Sequence, residues 1–223
     1  MSGYNKIDSR GSYAHSYPLY IYSYPNTNGV YGDEANAVYN GVGHALDQLY
    51  DMGAIDFYEI QEYDTPLYLN DPDEGTYWDN LNIWLGDRNK WDYKGVHVGI
   101  SDRVTGGLAH GGDSHGNTAF SVGKSAVVGT EEYVKEHYKN TGVQETLHPA
   151  INNSLPRVDD MIVEDDHDLG SVDCSSNTTP MATGYGEAVS QGSCTACSNS
   201  YFWTTYLTDC TKDVVSITAR DEL

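Results

Sequence analysis

The chain has 223 residues, and its 33 acidic residues outnumber the 12 basic ones, so its formal net charge is −21. A surface with this charge repels phosphate groups, which excludes nucleic acid and anionic membranes as expected partners. No apolar run approaches the roughly 20 residues of a membrane-spanning helix, so the sequence predicts a soluble protein. The length suits one substantial domain, and nothing in the sequence predicts the oligomeric state.

Two explanations of the acidity stay open. In the first, the protein is adapted to high salt, where an acidic surface stays hydrated and salt screens its self-repulsion. In the second, it is an ordinary acidic secreted protein. Only seven residues are lysine, and this scarcity favours the saline environment of a halophilic protein.

The first part of the chain alternates between strand and helix patterns. Residues 1–16 are polar and aromatic without a clear period, which predicts an arm or an early edge strand. Residues 17–24 mix aromatic and aliphatic side chains as a strand does. From residue 33 the apolar side chains fall on one helical stripe, and this helix is expected to end at Gly53. Residues 54–63 then supply a second strand.

The middle of the chain continues this alternation. Residues 77–85 have apolar side chains at helical spacing, which predicts a short helix. Residues 96–101 are largely β-branched and bounded by turn signals, so they predict the clearest strand of the chain. Residues 103–123 are rich in glycine, and we expect them to form an irregular edge strand and a loop.

A last short strand and a helix follow. Residues 125–129 predict the strand, and Thr130 is the predicted N-cap of the helix because two acidic residues follow it. The helix either runs through to His148 or breaks at Gly142 and restarts. Beyond residue 149 the periodicity is lost, apart from an aromatic stretch, residues 201–207, that predicts a final helix or strand.

The last quarter of the chain contains all four cysteines, which are Cys174, Cys194, Cys197 and Cys210. Such clustering predicts two disulfides, an oxidising compartment and therefore an extracellular, secreted protein. The alternative is a thiolate metal site built on the Cys194 and Cys197 pair. A structural zinc site of that kind usually has a second close pair, which Cys174 and Cys210 do not form in the sequence, so disulfides are favoured.

One short motif on the predicted helix carries possible chemistry. Gln144 and His148 are four residues apart, so they share a helix face, and Glu145 lies beside them. The pattern resembles His-Glu-x-x-His, in which two histidines hold zinc and the glutamate moves protons. Here a glutamine replaces the first histidine.

The order of the elements extends this resemblance to a family. Strand, helix, strand, strand, glycine-rich edge, strand and helix is similar to the order in zincin-type zinc metallopeptidases. His167 and the sequence Thr179-Pro180-Met181 follow in the order that the metzincin branch has for its third histidine and its methionine turn. The resemblance implies an α+β domain with a mixed twisted sheet, a backing helix and an active-site helix.

The same resemblance implies domain boundaries. Residues 1–16 would form an N-terminal arm, and residues 17–170 the zincin-like domain. Residues 171–223 would form a segment that contains the methionine turn and the cysteines and packs on the same domain.

The resemblance also implies roles for individual residues and a function. His148 and His167, with Gln144 in the first position, would be zinc ligands, and Glu145 would be the catalytic base. Met181 would form the floor of the site, Tyr185 would lie on its open side, and Asp166 or Asp168 would accept the ring proton of His167. The implied protein is a secreted zinc-dependent endopeptidase that hydrolyses peptide or protein substrates by metal-activated water.

Three departures from the motif keep an alternative open. Gln144 is a weak neutral ligand, Pro149 is expected to disturb a helix that includes His148, and the gap to His167 requires an inserted loop. The alternative is a non-catalytic zincin-fold binding or surface protein that has lost its full metal site. A weaker option is a structural protein whose acidity keeps it soluble in brine.

The remaining histidines are expected to have other roles. His110 and His115 lie on the glycine-rich segment that would form the rim of the cleft, and either could supply a replacement ligand. His44 and His97 are predicted to be core or cross-strand residues. The metal hypothesis requires the imidazoles of His148 and His167 to lie within about 8 Å of each other, since one ion must reach both.

Overall fold

The structure is a computed structural model, and the residues that it describes are 3–12, 14–26, 32–65, 67–69, 73–109, 117–131, 135–162, 166–171, 177–182 and 202–222. These residues form an α+β fold with a mixed six-stranded sheet, which confirms the predicted fold class at this level. None of the described helices combines the length and the apolar character needed to cross a bilayer.

The main sheet has a parallel centre and an antiparallel strand at each edge. Its strands are β1 (Tyr4–Gly11), β2 (Pro18–Pro25), β3 (Phe57–Tyr63), β4 (Gly95–Ser101), β5 (Gly107–Ala109) and β6 (Gly123–Gly129). They are arranged in the order β1-β3-β2-β4-β6-β5. β3, β2, β4 and β6 run parallel to one another, whereas β1 pairs antiparallel with β3 and β5 pairs antiparallel with β6. The glycine-rich segment thus contains an edge strand, as predicted.

Helices cover both faces of the sheet. They are α1 (Gly32–Asp51), α2 (Glu74–Asp87), α3 (Lys135–Leu147), α4 (Pro156–Asp159) and α5 (Asp209–Asp221). Short 3₁₀ helices occupy Lys90–Asp92, His148–Ala150 and Asp166–Leu169, and β7 (Asn177–Thr178) pairs with β8 (Phe202–Trp203) in a small parallel sheet. α1, α3 and α5 contribute to one apolar core, and α2 packs against the other face of the sheet.

Side chains of β2 alternate between these two faces, as the pleat of a strand requires. Leu19 and Ile21 belong to the core under α1 and α3, whereas Tyr22 and Tyr24 belong to the aromatic layer under α2. A strand that is covered on both faces reads as a nearly continuous apolar run, which is why the sequence pattern predicted it well.

His97 of β4 lies in the aromatic layer and is neutral. Its Nδ1 lies 2.7 Å from the hydroxyl of Tyr24, and its Nε2 donates to the carbonyl oxygen of Tyr93 at 3.1 Å. Burial, which disfavours the charged ring, lowers the pKa of His97 to about 4. The predicted core role of His97 is therefore confirmed.

Two glycines bring α1 and α3 into direct contact. A Cβ at Gly41 of α1 would lie 2.9 Å from the carbonyl oxygen of Lys139, and a Cβ at Gly142 of α3 would lie 2.8 Å from a methyl group of Val38. Small residues at a crossing allow two helices to approach more closely than side chains otherwise permit. Gly142 therefore serves helix packing, and α3 continues through it without the break that we considered.

β1 lies at the edge of the main sheet and hydrogen-bonds to β3, so the early edge strand predicted within residues 1–16 is confirmed. Two elements further along the chain differ from the expectations. The hydroxyl of Thr130 donates to the carbonyl oxygen of Ser101 at 3.4 Å, and the described part of α3 begins at Lys135. α5, with Thr208 as its N-cap, was not predicted.

The disulfides stay a prediction. Cys210 lies in the first turn of α5. Cys174, Cys194 and Cys197 lie outside the described residues, so the pairing of the four cysteines is not defined.

Candidate functional site

The end of α3 carries the three motif residues into the protein interior. Gln144, Glu145 and His148 are all buried. α3 ends at Leu147, and His148 begins the 3₁₀ turn that contains Pro149. Because a proline is tolerated at the start of a new helical turn, the disturbance expected from Pro149 does not fall within α3.

The segment with His167 is held from the C-terminal side by α5. His167 lies in the 3₁₀ helix that ends at Leu169. The carbonyl oxygen of Leu169 accepts hydrogen bonds from the hydroxyls of Thr208 and Thr211, the latter at 2.9 Å. The backbone N–H of Gly170 donates to the carbonyl oxygen of His167 at 3.0 Å. The start of α5 thus anchors the turn on which His167 stands.

Folding brings His148 and His167 together. Their ring centroids are 4.8 Å apart, and the ring planes are inclined at 76°. Nε2 of Gln144 lies 3.1 Å from Nε2 of His167 and 3.5 Å from Nε2 of His148. The separation of the two rings meets the 8 Å requirement. The three side chains therefore meet at their polar ends, as a shared site would need.

Asp166 determines which nitrogen of His148 is available. Oδ2 of Asp166 accepts a hydrogen bond from Nδ1 of His148 at 2.7 Å, and both side chains are buried. With Nδ1 carrying the proton, Nε2 of His148 presents its lone pair towards Gln144. Nδ1 of His167 lies 3.9 Å from Asp166, too far for a hydrogen bond. Of the two acceptors expected for the ring proton of His167, Asp166 does not fill that role because its carboxylate accepts from His148, and Asp168 stays a prediction.

The hydrogen bond also affects the acidity of Asp166. Burial raises the pKa of this carboxyl. The hydrogen bond from His148 and the charges of His148 and His167 together lower the pKa by more than burial raises it, so the net shift is downward. Asp166 consequently stays ionised and can stabilise a ring proton or a cation bound at the opposite nitrogen of His148.

His148, Asp166 and His167 form the cluster of potential metal-ligating side chains that the described residues contain, with ligand atoms within 4.8 Å of one another. Since Nδ1 of His148 is bound to Asp166, the accessible donors are the two Nε2 atoms and the side-chain amide of Gln144. Rotation of this amide by half a turn would direct its oxygen towards the imidazoles. Two imidazoles and one amide oxygen are a donor set that can hold zinc, although more weakly than three imidazoles.

Glu145 is a buried acid beside this cluster. Burial, opposed by the charge of His148 and reinforced by that of Asp166, raises the pKa of Glu145 to about 7. Its side chain lies against Gly107 of β5, where a Cβ would be 2.4 Å from its Cγ. A carboxyl group with a pKa near neutrality can both accept and donate a proton, as general acid–base catalysis requires.

The remaining predicted site residues are only partly described. Met181 is fully buried in the core, in a turn in which the N–H of Ala182 donates to the carbonyl oxygen of Thr179. Its role as a floor beneath a metal stays a prediction. Tyr185, His110 and His115 lie outside the described residues.

Two other histidines contact residues outside the candidate site. Nδ1 of His44 lies 2.6 Å from the hydroxyl of Thr205, and the ring of His137 packs edge-on against Trp203 at 4.5 Å. His44 is half-buried on α1 and makes structural contacts, so its predicted position in the core is not confirmed.

The sequence did not reveal two residues that shape the site. The sequence suggests Asp166 or Asp168 as a partner of His167 rather than of His148, and it places Gly107 only within an irregular glycine-rich segment. The adjacent acid beside His167 was a usable signal for Asp166. No signal distinguished Gly107 from its neighbour Gly106.

Comparison with known proteins adds no assignment: no protein-family model and no curated protein matches this chain.

Proposed function

We propose that this protein is a secreted zinc-dependent endopeptidase of the zincin type. The observation that carries the proposal is the meeting of Gln144, His148 and His167 next to the buried acid Glu145. Metal-ligand side chains beside a carboxyl with a raised pKa are the arrangement expected of a metal-assisted hydrolase.

Each residue has a defined task in this proposal. His148 and His167 would hold a zinc ion, Gln144 would add its amide oxygen, and Asp166 would maintain the orientation of His148. A zinc ion held there would supply Lewis-acid chemistry, namely polarisation of a peptide carbonyl and a lower pKa of water, about 7. Glu145 accepts the proton that water loses as it attacks the carbonyl carbon, and transfers that proton to the departing amine nitrogen.

The fold supports this proposal through the position of β5. This strand is an antiparallel edge strand, and Gly107 within it contacts Glu145 of the proposed active-site helix, α3. α1 packs against α3 as the backing helix. The same proposal includes a zincin-like domain and a C-terminal segment that is cross-linked by disulfides. It also includes a peptide or protein substrate that binds in the cleft.

Metal analysis tests the site directly. Elemental analysis of the purified protein is expected to find one zinc ion per chain, and His148→Ala and His167→Ala are each expected to lose it. His44→Ala is the matched control, because its ring contacts Thr205 and Tyr206 instead of the cluster. Zinc content that is equal in all four proteins would refute the site.

Cleavage of casein tests the mechanism. Glu145→Gln retains the size of the side chain but cannot accept the proton, so the variant is expected to keep its zinc and to lose at least about a hundredfold in rate. Retained cleavage in this variant would exclude Glu145 as the base.

A second candidate function is favoured by one observation. As oriented, the amide nitrogen of Gln144 faces the lone pairs of both histidines, so the cluster is satisfied internally without an ion. This arrangement suits a non-catalytic protein that uses the fold to bind a partner. Gln144→His distinguishes the two: a large gain in zinc retention from a metal-free starting protein indicates a site that has lost its metal.

A further inference from the structure

Gly107 lies on the edge strand directly opposite the proposed catalytic base. A Cβ built on Gly107 would lie 2.4 Å from Cγ, 2.8 Å from Cδ and 2.8 Å from Oε1 of Glu145. Real side-chain atoms do not approach so closely, and these three contacts are the nearest neighbours of the missing atom. The Glu145 side chain therefore fills the space that any other residue at position 107 would need.

The backbone of Gly107 does not itself require glycine. Positive φ angles occur at Gly3, Gly11, Gly53, Gly95 and Gly106 among the described glycines, and Gly107 is not one of them. Its neighbour Gly106, with φ of 69°, needs glycine for its conformation. At Gly107 an alanine would fit the backbone, and the three nearest atoms that its Cβ would meet all belong to Glu145.

Neither Gly107 nor Glu145 can easily move away from the other. Gly107 pairs with Val128 in the antiparallel ladder between β5 and β6, so the strand is held by backbone hydrogen bonds. Glu145 lies on α3, which is in close contact with α1 at Gly41 and Gly142. Its side chain is 3 % exposed and has little free volume into which to move.

We propose that Gly107 is a positioning residue, whose missing side chain reserves the space in which the carboxyl group of Glu145 is held between α3 and β5. The catalytic meaning of this contact rests on the proposed function, but the contact does not. A methyl group at position 107 displaces the carboxyl group from the place where it meets the substrate and the attacking water.

Thermal unfolding of metal-free protein tests the contact without any assay of activity. Gly107→Ala is compared in the natural chain and in a Glu145→Ala background, which forms a double-mutant cycle. We expect Gly107→Ala to lower the unfolding midpoint by about 3 °C or more in the natural chain and by less than about 1 °C in the Glu145→Ala background. Equal losses in both backgrounds would overturn the proposal.

The experiment includes a matched control variant, and it remains decisive if Gly107→Ala does not fold. Gly86→Ala places a Cβ whose nearest neighbour is Nε1 of Trp91 at 3.8 Å, so it should leave the midpoint unchanged or slightly higher. If Gly107→Ala does not fold alone, a double variant that folds supports the proposal. A double variant that also fails to fold overturns it, since Glu145 is then not the obstacle.

Kinetics separate positioning from a merely structural effect. With casein, Gly107→Ala is expected to reduce kcat at least tenfold with KM and zinc content within about twofold of the natural protein. Loss of zinc in parallel with activity would overturn the positioning role. If the natural protein neither holds zinc nor cleaves casein, the proposed function fails, and the thermal cycle still decides whether Gly107 holds Glu145 in place.

Discussion

Asp166 and His148 form a hydrogen bond of the kind that would prepare a histidine for the proposed metal binding. Both side chains are buried, and the 2.7 Å bond occupies Nδ1, so Nε2 is the nitrogen of His148 that could ligate an ion. A carboxylate behind a ligating imidazole fixes its tautomer and its orientation and makes the free nitrogen a stronger donor. Asp166 therefore contributes to the candidate site without taking up a coordination position.

Asp166→Asn should weaken zinc binding. An amide is a weaker acceptor than a carboxylate and does not favour the required tautomer, so we expect the affinity to fall about 10- to 100-fold. Competition with a chromophoric chelator measures the change. Asp160→Asn, in an exposed position, is the control and should retain the natural affinity. An unchanged affinity in Asp166→Asn would show that the carboxylate does not support His148.

Glu145 should make the stability of the metal-free protein depend on pH. Burial raises its pKa from the usual 4.5 to about 7 on folding. Below pH 4.5 the carboxyl group is protonated in both the folded and the unfolded state, so it does not reduce the free energy of unfolding. As pH rises from 4.5 to 7, the unfolded chain releases the proton first, so the free energy of unfolding falls. Above pH 7 the loss is complete, at roughly 3 kcal/mol.

Glu145→Gln isolates this contribution. The variant should unfold at the same denaturant concentration as the natural protein near pH 4, and its advantage should grow with pH to a plateau above pH 7. Urea titrations at four pH values with a chelator present measure the difference. An advantage that is constant across this range would show that burial does not raise the pKa of Glu145.

At the scale of elements, the site is assembled from three separate segments. α3 supplies Gln144 and Glu145, the 3₁₀ turn after it supplies His148, and a second 3₁₀ helix supplies His167. The second segment depends on α5, because the hydroxyls at the start of α5 hold the carbonyl oxygen of Leu169. α5 supplies no side chain to the candidate site, yet it contributes to the position of His167.

Thr208→Ala should destabilise the protein and loosen this anchor. The residue caps α5 by accepting from the N–H of Thr211 at 3.0 Å, and loss of such a cap costs about 1 kcal/mol. Urea denaturation measures the loss of stability, and faster hydrogen exchange at the Gly170 amide would report the loosened turn. Thr65→Ala, on an exposed threonine, is the control. Unchanged exchange at Gly170 would contradict the anchoring role.

The elements that the sequence predicted are those with a simple period. β2, β4 and β6 are covered on both faces, and α1 has one apolar stripe, so propensity and burial agree. α5 was missed because its buried face alternates hydroxyl and apolar residues, Thr211, Val214, Val215, Thr218 and Ala219. These residues are three or four positions apart, as on one face of a helix. The polar threonines interrupt the apolar stripe by which a helix is recognised in a sequence.

The candidate site was less predictable than the fold. The helix spacing indicated that Gln144 and His148 share a face, which is a local property. The bond between Asp166 and His148 joins residues 18 apart in the chain and depends on how the intervening segment returns. Such a contact leaves no periodic signal, and the same holds for the space at Gly107.

At the scale of the whole molecule, the net charge of −21 implies strong self-repulsion at low salt. Repulsion is greater in the compact folded state than in the expanded unfolded chain, and salt screens it. We expect the unfolding midpoint to rise by about 4 °C or more between 0.1 and 2 M KCl, which corresponds to one to two kcal/mol. Sucrose at matched osmolality is the control, and a midpoint that rises equally in both would attribute the effect to exclusion of the solute.

The contact between α1 and α3 at Gly41 and Gly142 has a consequence for the alignment of the two helices. If α3 shifted by one residue along its helical path, by about 1.5 Å and 100°, Thr141 or Val143 would replace Gly142 against Val38, and neither side chain has room there. The pair consequently admits a single register. Through that register, the first long helix of the chain sets the depth at which Gln144, Glu145 and His148 stand below the sheet.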